Sequence, residues 1–113
     1  MNEDIEQMAF VKALSKSELQ AGQARCVELQ GKRIAIFNIN GTFRAIDDTC
    51  THDEASLAEG TVFEDEKGRC IVACPWHGAN FDLCTGAALT LPAVTPVKAY
   101  PVREVGDAIE IDV

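Results

Sequence analysis

Short apolar stretches, separated by residues that favour turns, recur along the whole chain. Several of them alternate apolar and polar side chains, which is typical of half-buried β-strands. The predicted strands are 7–14, 24–29, 33–39, 42–46, 61–63, 69–73, 79–83, 87–89, 97–105 and 108–113, with a helical turn or loop at 15–22 and at 56–58. Many short strands joined by regular turns predict an all-β fold, an antiparallel sandwich or barrel.

Two turns stand out in this pattern. Asn40-Gly41 separates two apolar stretches, and both residue types tolerate positive φ, so a two-residue hairpin is predicted there. A second hairpin is predicted at 65–68. The returning strand of each hairpin leads to a cysteine, Cys50 in the first case and Cys74 in the second. We therefore expect each cysteine to be positioned by a rigid hairpin.

Each of these cysteines is followed closely by a histidine. The two stretches are Cys50-Thr51-His52 and Cys74-Pro75-Trp76-His77, and they contain both histidines of the chain. Two Cys and two His that converge form a metal site. One candidate is a two-iron two-sulfur cluster in which two His replace two Cys on one iron, and the other is a structural zinc. Zinc sites usually group Cys with Cys and His with His, so the mixed order favours the cluster.

Length and cysteine content indicate the number of domains and the cellular compartment. The 113 residues predict one domain. Without Cys50 and Cys74, three cysteines remain, and an odd number cannot pair completely, which argues against a secreted disulfide scaffold. The sequence shows neither a signal peptide nor an apolar run of membrane-spanning length. We expect a cytoplasmic protein without a membrane anchor, in which Cys26, Cys70 and Cys84 are small packing residues.

The net charge of −8 is unevenly distributed. The segment 47–66 contains no Lys or Arg. A chain this acidic lacks the basic face that nucleic acid requires. The segment is either a solvated surface or a patch that steers a basic partner, and the sequence alone does not separate the two. Its acidic residues are Asp47, Asp48, Asp53, Glu54, Glu59, Glu64, Asp65 and Glu66.

The motif resembles that of the Rieske ferredoxins, the small soluble electron carriers of bacterial aromatic-ring dioxygenase systems. The resemblance extends loosely from Ala24 to the C-terminus. It implies a single Rieske domain over 1–113, with a β base and an inserted cluster-binding subdomain at about 48–92. The matching residues are Cys50-Thr51-His52, Cys74-Pro75-Trp76-His77-Gly78, Phe81-Asp82, Thr85-Gly86 and Leu91-Pro92-Ala93.

The resemblance also implies a cofactor and a function. Cys50 and Cys74 would hold one iron of a Rieske cluster, and His52 and His77 the other. The protein would be an electron carrier and not an enzyme. It would pass single electrons from a flavin-dependent ferredoxin reductase to a terminal Rieske non-haem iron oxygenase. Two alternatives stay open: an accessory subunit of a nitrite-reductase-type complex, and a zinc-stabilised interaction module without redox function.

Some positions depart from the high-potential members of the family. Those proteins carry an additional disulfide across the cluster loops, where this chain has Ala55 and Trp76. They also carry two hydroxyl donors to the cluster, where this chain has Ala79 and Phe81. We therefore expect a reduction potential at the low end of the Rieske range, roughly −150 mV. Backbone N–H groups around His52 and Gly78 are the expected remaining donors to sulfur.

Two further segments have two interpretations each. Trp76 either shields the cluster from water or contacts a partner. The segment 91–93 resembles the family's proline loop, which covers the cluster, and is otherwise an ordinary surface turn.

Overall fold

The computed structural model describes residues 10–50, 55–75, 78–90 and 95–113. These residues form ten strands in three antiparallel sheets and two 3-10 helices, Lys16–Glu18 and Leu57–Glu59. The all-β prediction is confirmed. The strands are β1 Phe10–Ser15, β2 Ala24–Leu29, β3 Lys32–Ile39, β4 Thr42–Asp47, β5 Thr61–Glu64, β6 Cys70–Ala73, β7 Asn80–Asp82, β8 Ala99–Tyr100, β9 Val102–Val105 and β10 Ala108–Asp112.

The central sheet has the order β2-β3-β4-β8. The β3–β4 hairpin turns at Asn40 and Gly41, whose φ angles of 54° and 92° are both positive, as the sequence predicted. The register places Ile39 opposite Thr42 and Ile34 opposite Asp47. This ladder ends where the chain turns towards Cys50, so the β3–β4 hairpin leads into the first predicted ligand loop.

Strand β3 is buried on both faces. Ala35 and Phe37 belong to one buried cluster, together with Leu57, Val72 and Phe81. Ile34 and Ile36 point to the other cluster, together with Leu14, Ile109 and Ile111. A strand covered on both sides reads as a continuous apolar run, which is the pattern of residues 34–37. The central sheet therefore lies between two cores.

Each of the two remaining sheets contributes to one of these cores. The sheet β1-β10-β9 covers the Ile34 and Ile36 face. The sheet β5-β6-β7 supplies Val72 and Phe81 to the opposite core. The strands of this smaller sheet fall within the predicted inserted subdomain at 48–92. The boundaries of that subdomain stay a prediction.

Two strand predictions were wrong. The segment 97–105 is not one strand, because Pro101 divides it into β8, which pairs with β4, and β9, which pairs with β10. Proline has no N–H to donate to a ladder, so the chain leaves one sheet there and enters the next. The predicted strand 87–89 is reduced to a single bridge between Ala88 and Phe81. Of the predicted first strand, residues 7–9 lie outside the described residues.

Both described helices are three residues long, far shorter than a bilayer crossing requires. None of the described helices combines the length and the apolar character of a membrane span.

Candidate metal centre

Cys50 and Cys74 lie in the same buried core. Their residues are 1% and 3% exposed, and both belong to the cluster that contains Phe37 and Phe81. Cys50 follows β4 after a short connection, and Cys74 follows β6 directly. The fold thus brings together two cysteines that are far apart in sequence, which was the central prediction for this pair.

The two loops that begin at these cysteines are closed in the same way. The backbone N–H of Cys50 donates to the carbonyl of Ala55 at 2.9 Å. The backbone N–H of Cys74 donates to the carbonyl of Ala79 at 2.8 Å. In both loops the acceptor is the carbonyl of a buried alanine. Each cysteine thus donates its N–H across its loop to the residue five positions later.

The surroundings of the two loops differ. The second loop is flanked by β6 and β7, and the ladder continues to the pair Ala73–Asn80 at its base. The first loop is flanked by a single bridge between Thr49 and Ser56 and then by the 3-10 helix Leu57–Glu59. The second loop is therefore flanked by a regular hairpin, whereas the first is flanked by one bridge and a short helix.

Gly78 forms a turn that closes the second loop. Its N–H donates to the carbonyl of Cys74 at 3.0 Å, so this N–H is engaged within the loop itself. Its φ of +74° lies in the left-handed region, and no heavy atom of the described protein lies within 4 Å of the position of a Cβ. Glycine is required here for the turn and not for a close approach of the protein backbone.

The histidines of the predicted site lie outside the described residues. His52, His77 and Trp76 fall in the gaps, and so does the segment 91–93. Within the described ranges no group of three Cys, His, Asp or Glu side chains forms a metal site. The assignment of Cys50, His52, Cys74 and His77 as a ligand set therefore stays a prediction.

The described part of the site fits an iron–sulfur cluster. Thiolates are the protein ligands that hold such clusters, and two cysteines lie in one apolar core, where water is excluded. Ala79 and Phe81 are 1% and 0% exposed and carry no hydroxyl, so neither side chain can donate a hydrogen bond to sulfur. Both the sulfur donors and the dry surroundings that the group needs are present.

The three other cysteines are not all packing residues. Burial raises the pKa of the Cys26 thiol, whose sulfur also accepts a weak hydrogen bond from Arg33 at 3.6 Å. Burial likewise raises the pKa of Cys70. Both are half-buried, whereas Cys84 is exposed, so the expectation of a packing role was wrong for Cys84. The raised pKa values make Cys26 and Cys70 poor nucleophiles.

The acidic segment 47–66 divides into residues that face inwards and residues that face solvent. Asp48 is 1% exposed, and Asp47 accepts hydrogen bonds from the hydroxyl of Tyr100 at 2.5 Å and from the N–H of Lys98 at 3.2 Å. Asp65 caps the β5–β6 turn and pairs with Arg69. These three carboxylates have structural roles that charge counting did not detect. Of the described acidic residues of the segment, Glu59, Glu64 and Glu66 are exposed.

The chain is similar to proteins of known family. The Rieske [2Fe-2S] domain family matches residues 9–101. The biphenyl dioxygenase ferredoxin subunit of Pseudomonas sp. (strain KKS102) is 37% identical over 105 residues, which cover 93% of each chain. The 3-phenylpropionate/cinnamic acid dioxygenase ferredoxin subunit of Escherichia coli (strain K12) is 48% identical over 79 residues, which cover 70% of this chain and 71% of that one.

Three solved structures superpose on at least 90% of this chain. The ferredoxin of carbazole 1,9a-dioxygenase from Nocardioides aromaticivorans IC177 superposes with a TM-score of 0.82 and 29% identity, covering 91% of this chain and 96% of that one. A ferredoxin in complex with the reduced oxygenase of carbazole 1,9a-dioxygenase has a TM-score of 0.80 and 31% identity, covering 93% and 94%. A protein named as an NADH-dependent nitrite reductase small subunit from Mycobacterium tuberculosis has a TM-score of 0.81 and 26% identity, covering 90% and 92%.

Proposed function

The chain belongs to the Rieske [2Fe-2S] family, and we propose that it is the ferredoxin component of an aromatic-ring dioxygenase system. It would carry one electron at a time and would catalyse no reaction of its own. The observation that carries this proposal is the pair of matched loops, each beginning at a buried cysteine, in a chain that aligns with a dioxygenase ferredoxin subunit over 93% of its length.

We propose Cys50 and Cys74 as the ligands of one iron and His52 and His77 as the ligands of the other. Each histidine lies between the cysteine and the alanine that close its loop, so the chain keeps it close to its cysteine. When bound, a Rieske cluster accepts and releases one electron. The protein's part is to hold the sulfur side in the dry core around Phe37 and Phe81 and to exclude water from it.

Substitution of the ligands tests this assignment. Cys50→Ala and Cys74→Ala should abolish the visible absorption of the cluster, and His52→Ala and His77→Ala should abolish it or change it. Cys84→Ala is the matched control, because that thiol is exposed and its loss should leave the spectrum unchanged. An unchanged spectrum in any of the four variants would remove that residue from the ligand set. A colourless wild-type protein, purified under anaerobic conditions with iron and sulfide supplied, would overturn the cofactor assignment.

We propose a low reduction potential, roughly −150 mV, for the same cluster. Hydrogen bonds to the cluster sulfurs stabilise the reduced form, and the buried side chains of Ala79 and Phe81 supply none. The N–H of Gly78 donates to the Cys74 carbonyl, which reduces the number of backbone donors available to sulfur. A redox titration monitored by circular dichroism would measure the midpoint. A clearly positive midpoint at neutral pH would contradict this part of the proposal.

The proposed partners are a terminal oxygenase and a flavin-dependent ferredoxin reductase. The complex of the carbazole 1,9a-dioxygenase ferredoxin with its oxygenase supports the first by similarity, and the reductase follows from the expected source of electrons. Glu59 and Glu64 are exposed and form no ion pair with a described residue, so they remain available to attract a basic partner surface.

Paired charge variants test this steering. Glu59→Gln combined with Glu64→Gln should lower the electron-transfer rate to the partner at low salt, and the difference from wild type should vanish at high salt. Asp107→Asn combined with Asp112→Asn removes the same charge from the β1-β10-β9 sheet and is the control. Equal effects of the two pairs would show that only net charge matters and that residues 59 and 64 form no docking surface.

The fold similarity to the small subunit from M. tuberculosis favours the nitrite-reductase alternative. The ferredoxin subunit of biphenyl dioxygenase matches at higher identity over a similar share of the chain, so we favour the dioxygenase role. Stable co-purification with a large reductase, without electron transfer to an oxygenase, would reverse this preference. The zinc interpretation is set aside, because the family to which the chain belongs binds a two-iron two-sulfur cluster.

We also propose a cytoplasmic location. Cys26, Cys70 and Cys84 are free thiols, which is typical of a reducing compartment. Cell fractionation tests the location, and recovery of the protein in an oxidising compartment would contradict it.

A further inference from the structure

The side chain of Asp48 is a buried carboxylate two residues before Cys50. This side chain is 1% exposed. It is not among the proposed cluster ligands, so the proposed electron-transfer function gives it no role. Burial of an ionised carboxylate is unfavourable unless hydrogen bonds and a counter-charge compensate for the lost water. The partners of Asp48 therefore indicate what the carboxylate holds in place.

The carboxylate of Asp48 joins the first ligand loop to the central sheet. Its Oδ1 accepts hydrogen bonds from the hydroxyl of Ser56 and from the N–H of Ala58, both at 2.9 Å. Its Oδ2 accepts from Nη2 of Arg33 on β3 at 3.3 Å. One oxygen thus contacts the far end of the loop and the other contacts the sheet.

The backbone of Asp48 makes the same connection. Its N–H donates to the carbonyl of Arg33 at 3.0 Å, and its carbonyl accepts from the N–H of Leu57 at 2.7 Å. Leu57 is 0% exposed, so the 3-10 helix that follows the loop is fastened both by this hydrogen bond and by burial. Five hydrogen bonds of one residue link β3, the start of the loop and its end.

A regular strand pair closes the base of the second loop. The β6–β7 ladder holds its two ends together through the pair Ala73–Asn80. The first loop has a single bridge, Thr49–Ser56, in place of a ladder. A hydrogen-bonded carboxylate replaces the missing ladder at the first loop.

We propose that Asp48 is the positioning residue of the first ligand loop: its carboxylate, fastened to Arg33, holds Ser56 and Ala58 and thereby fixes the loop that begins at Cys50. This inference rests on the proposed role of Cys50 as a cluster ligand. Asp48 acts through the loop and has no contact with the cluster in the proposal. Its loss should therefore alter cluster geometry and retention more than it alters the fold.

Asp65 offers a matched control. Its Oδ1 accepts hydrogen bonds from the N–H groups of Lys67 and Arg69 at 3.0 and 2.8 Å, and its Oδ2 accepts from Nε of Arg69 at 2.6 Å. The bonding pattern matches that of Asp48, with two donors on one oxygen and an arginine on the other. Asp65 lies in the hairpin turn between β5 and β6, at the opposite end of those strands from Cys74.

The experiment compares Asp48→Asn, Ser56→Ala and Asp65→Asn in the cluster-loaded protein. Asparagine keeps an acceptor for Ser56 and Ala58 but offers Arg33 an NH₂ group, which cannot accept its hydrogen bond. Three quantities are measured under anaerobic conditions. They are the rate at which an iron chelator bleaches the visible absorption, the g values and linewidths of the reduced protein in electron paramagnetic resonance, and the thermal midpoint by far-ultraviolet circular dichroism.

We expect Ser56→Ala and Asp48→Asn to accelerate bleaching by about tenfold, the factor for one lost hydrogen bond to a charged group, and to broaden or shift the resonance signal. Asp65→Asn should lower the thermal midpoint without changing the bleaching rate or the signal. If Asp48→Asn fails to fold, Ser56→Ala alone decides, because it removes one donor and leaves the carboxylate paired with Arg33.

Two results would overturn the inference. One is that Ser56→Ala and any folded Asp48→Asn protein bleach at the wild-type rate and give the wild-type resonance signal. The other is an equal effect of Asp65→Asn, which would make the response a general loss of stability. Failure of the proposed function has a different signature, namely a Cys50→Ala protein that keeps its cluster.

Discussion

Gly86 provides the sharpest test of the packing around the candidate site. It follows β7 in a turn, with φ at +80°, and its carbonyl accepts the N–H of Val97 at 2.9 Å. A Cβ at this position would lie 2.9 Å from the carbonyl carbon of Val97 and closer still to its oxygen. Val97 belongs to the core that contains Cys50 and Cys74. Gly86→Ala should therefore disturb the packing around both cysteines.

The expected loss of stability in Gly86→Ala has two contributions. An alanine in the left-handed region costs roughly 1–2 kcal/mol relative to its preferred conformations. The clash is with backbone atoms, so the 95–99 segment must move and the hydrogen bond from Val97 is lost or weakened, which adds about 0.5–1.5 kcal/mol and further strain. The expected total is about 3 kcal/mol, which corresponds to a decrease of about 12 °C in the thermal midpoint for a chain of 113 residues.

Gly31→Ala is the matched control for the backbone cost. Its φ is also +80°, in the turn between β2 and β3, but no heavy atom of the residues that the structure describes lies within 4 Å of the position of a Cβ. It should lower the midpoint by only about 4–8 °C, because it carries the backbone cost without the clash. Both variants would be measured with the cluster bound, by far-ultraviolet circular dichroism and by bleaching of the visible absorption.

The difference in thermal midpoint between the two glycine variants tests whether the clash with Val97 matters. If Gly86→Ala and Gly31→Ala lower the midpoint equally, the close approach of Val97 to residue 86 does not matter for stability. Gly86 would then have no part in the packing around the two cysteines.

Three other substitutions give distinct outcomes. Leu57→Ala, at a fully buried position, should lower the free energy of unfolding by about 2–5 kcal/mol in a denaturant titration, and a loss below about 1 kcal/mol would contradict the assigned packing. Burial and the hydrogen bond to Asp47 raise the pKa of Tyr100 in the folded protein, so wild-type stability should fall as the pH rises above about 10, the ordinary tyrosine pKa. Tyr100→Phe removes this contribution and should flatten that fall, whereas equal slopes for the two proteins would show that Tyr100 titrates normally. Gly60→Ala places a Cβ 3.2 Å from the carbonyl carbon of Ala73, next to Cys74. An iron chelator should therefore bleach the cluster of this variant faster than that of wild type. An unchanged bleaching rate would show that β5 and β6 separate without affecting Cys74.

Much of the local structure follows from neighbouring residues and was predictable for that reason. The β2 prediction is confirmed at both ends, and the Asn40-Gly41 turn adopts the positive φ angles that its residue types favour. Alternating side chains and turn chemistry act over a few residues, so a linear sequence contains them in full. The cysteines were likewise identifiable, because their spacing from histidine forms a motif.

The remaining features depend on contacts between distant parts of the chain. Pro101 divides a strand because two sheets meet there, and Gly86 must be glycine because Val97 passes close to it. Both Asp48 and Glu59 belong to one acidic run, yet only the fold turns Asp48 inwards onto Arg33 and Ser56.

From the sequence alone came most of the strands, the hairpin turns and the two candidate ligand loops, since all of these are encoded over short distances. Tertiary structure decided which carboxylates are buried, which glycines are indispensable and how each loop is supported. Those properties belong to pairs of residues that only the folded chain brings into contact.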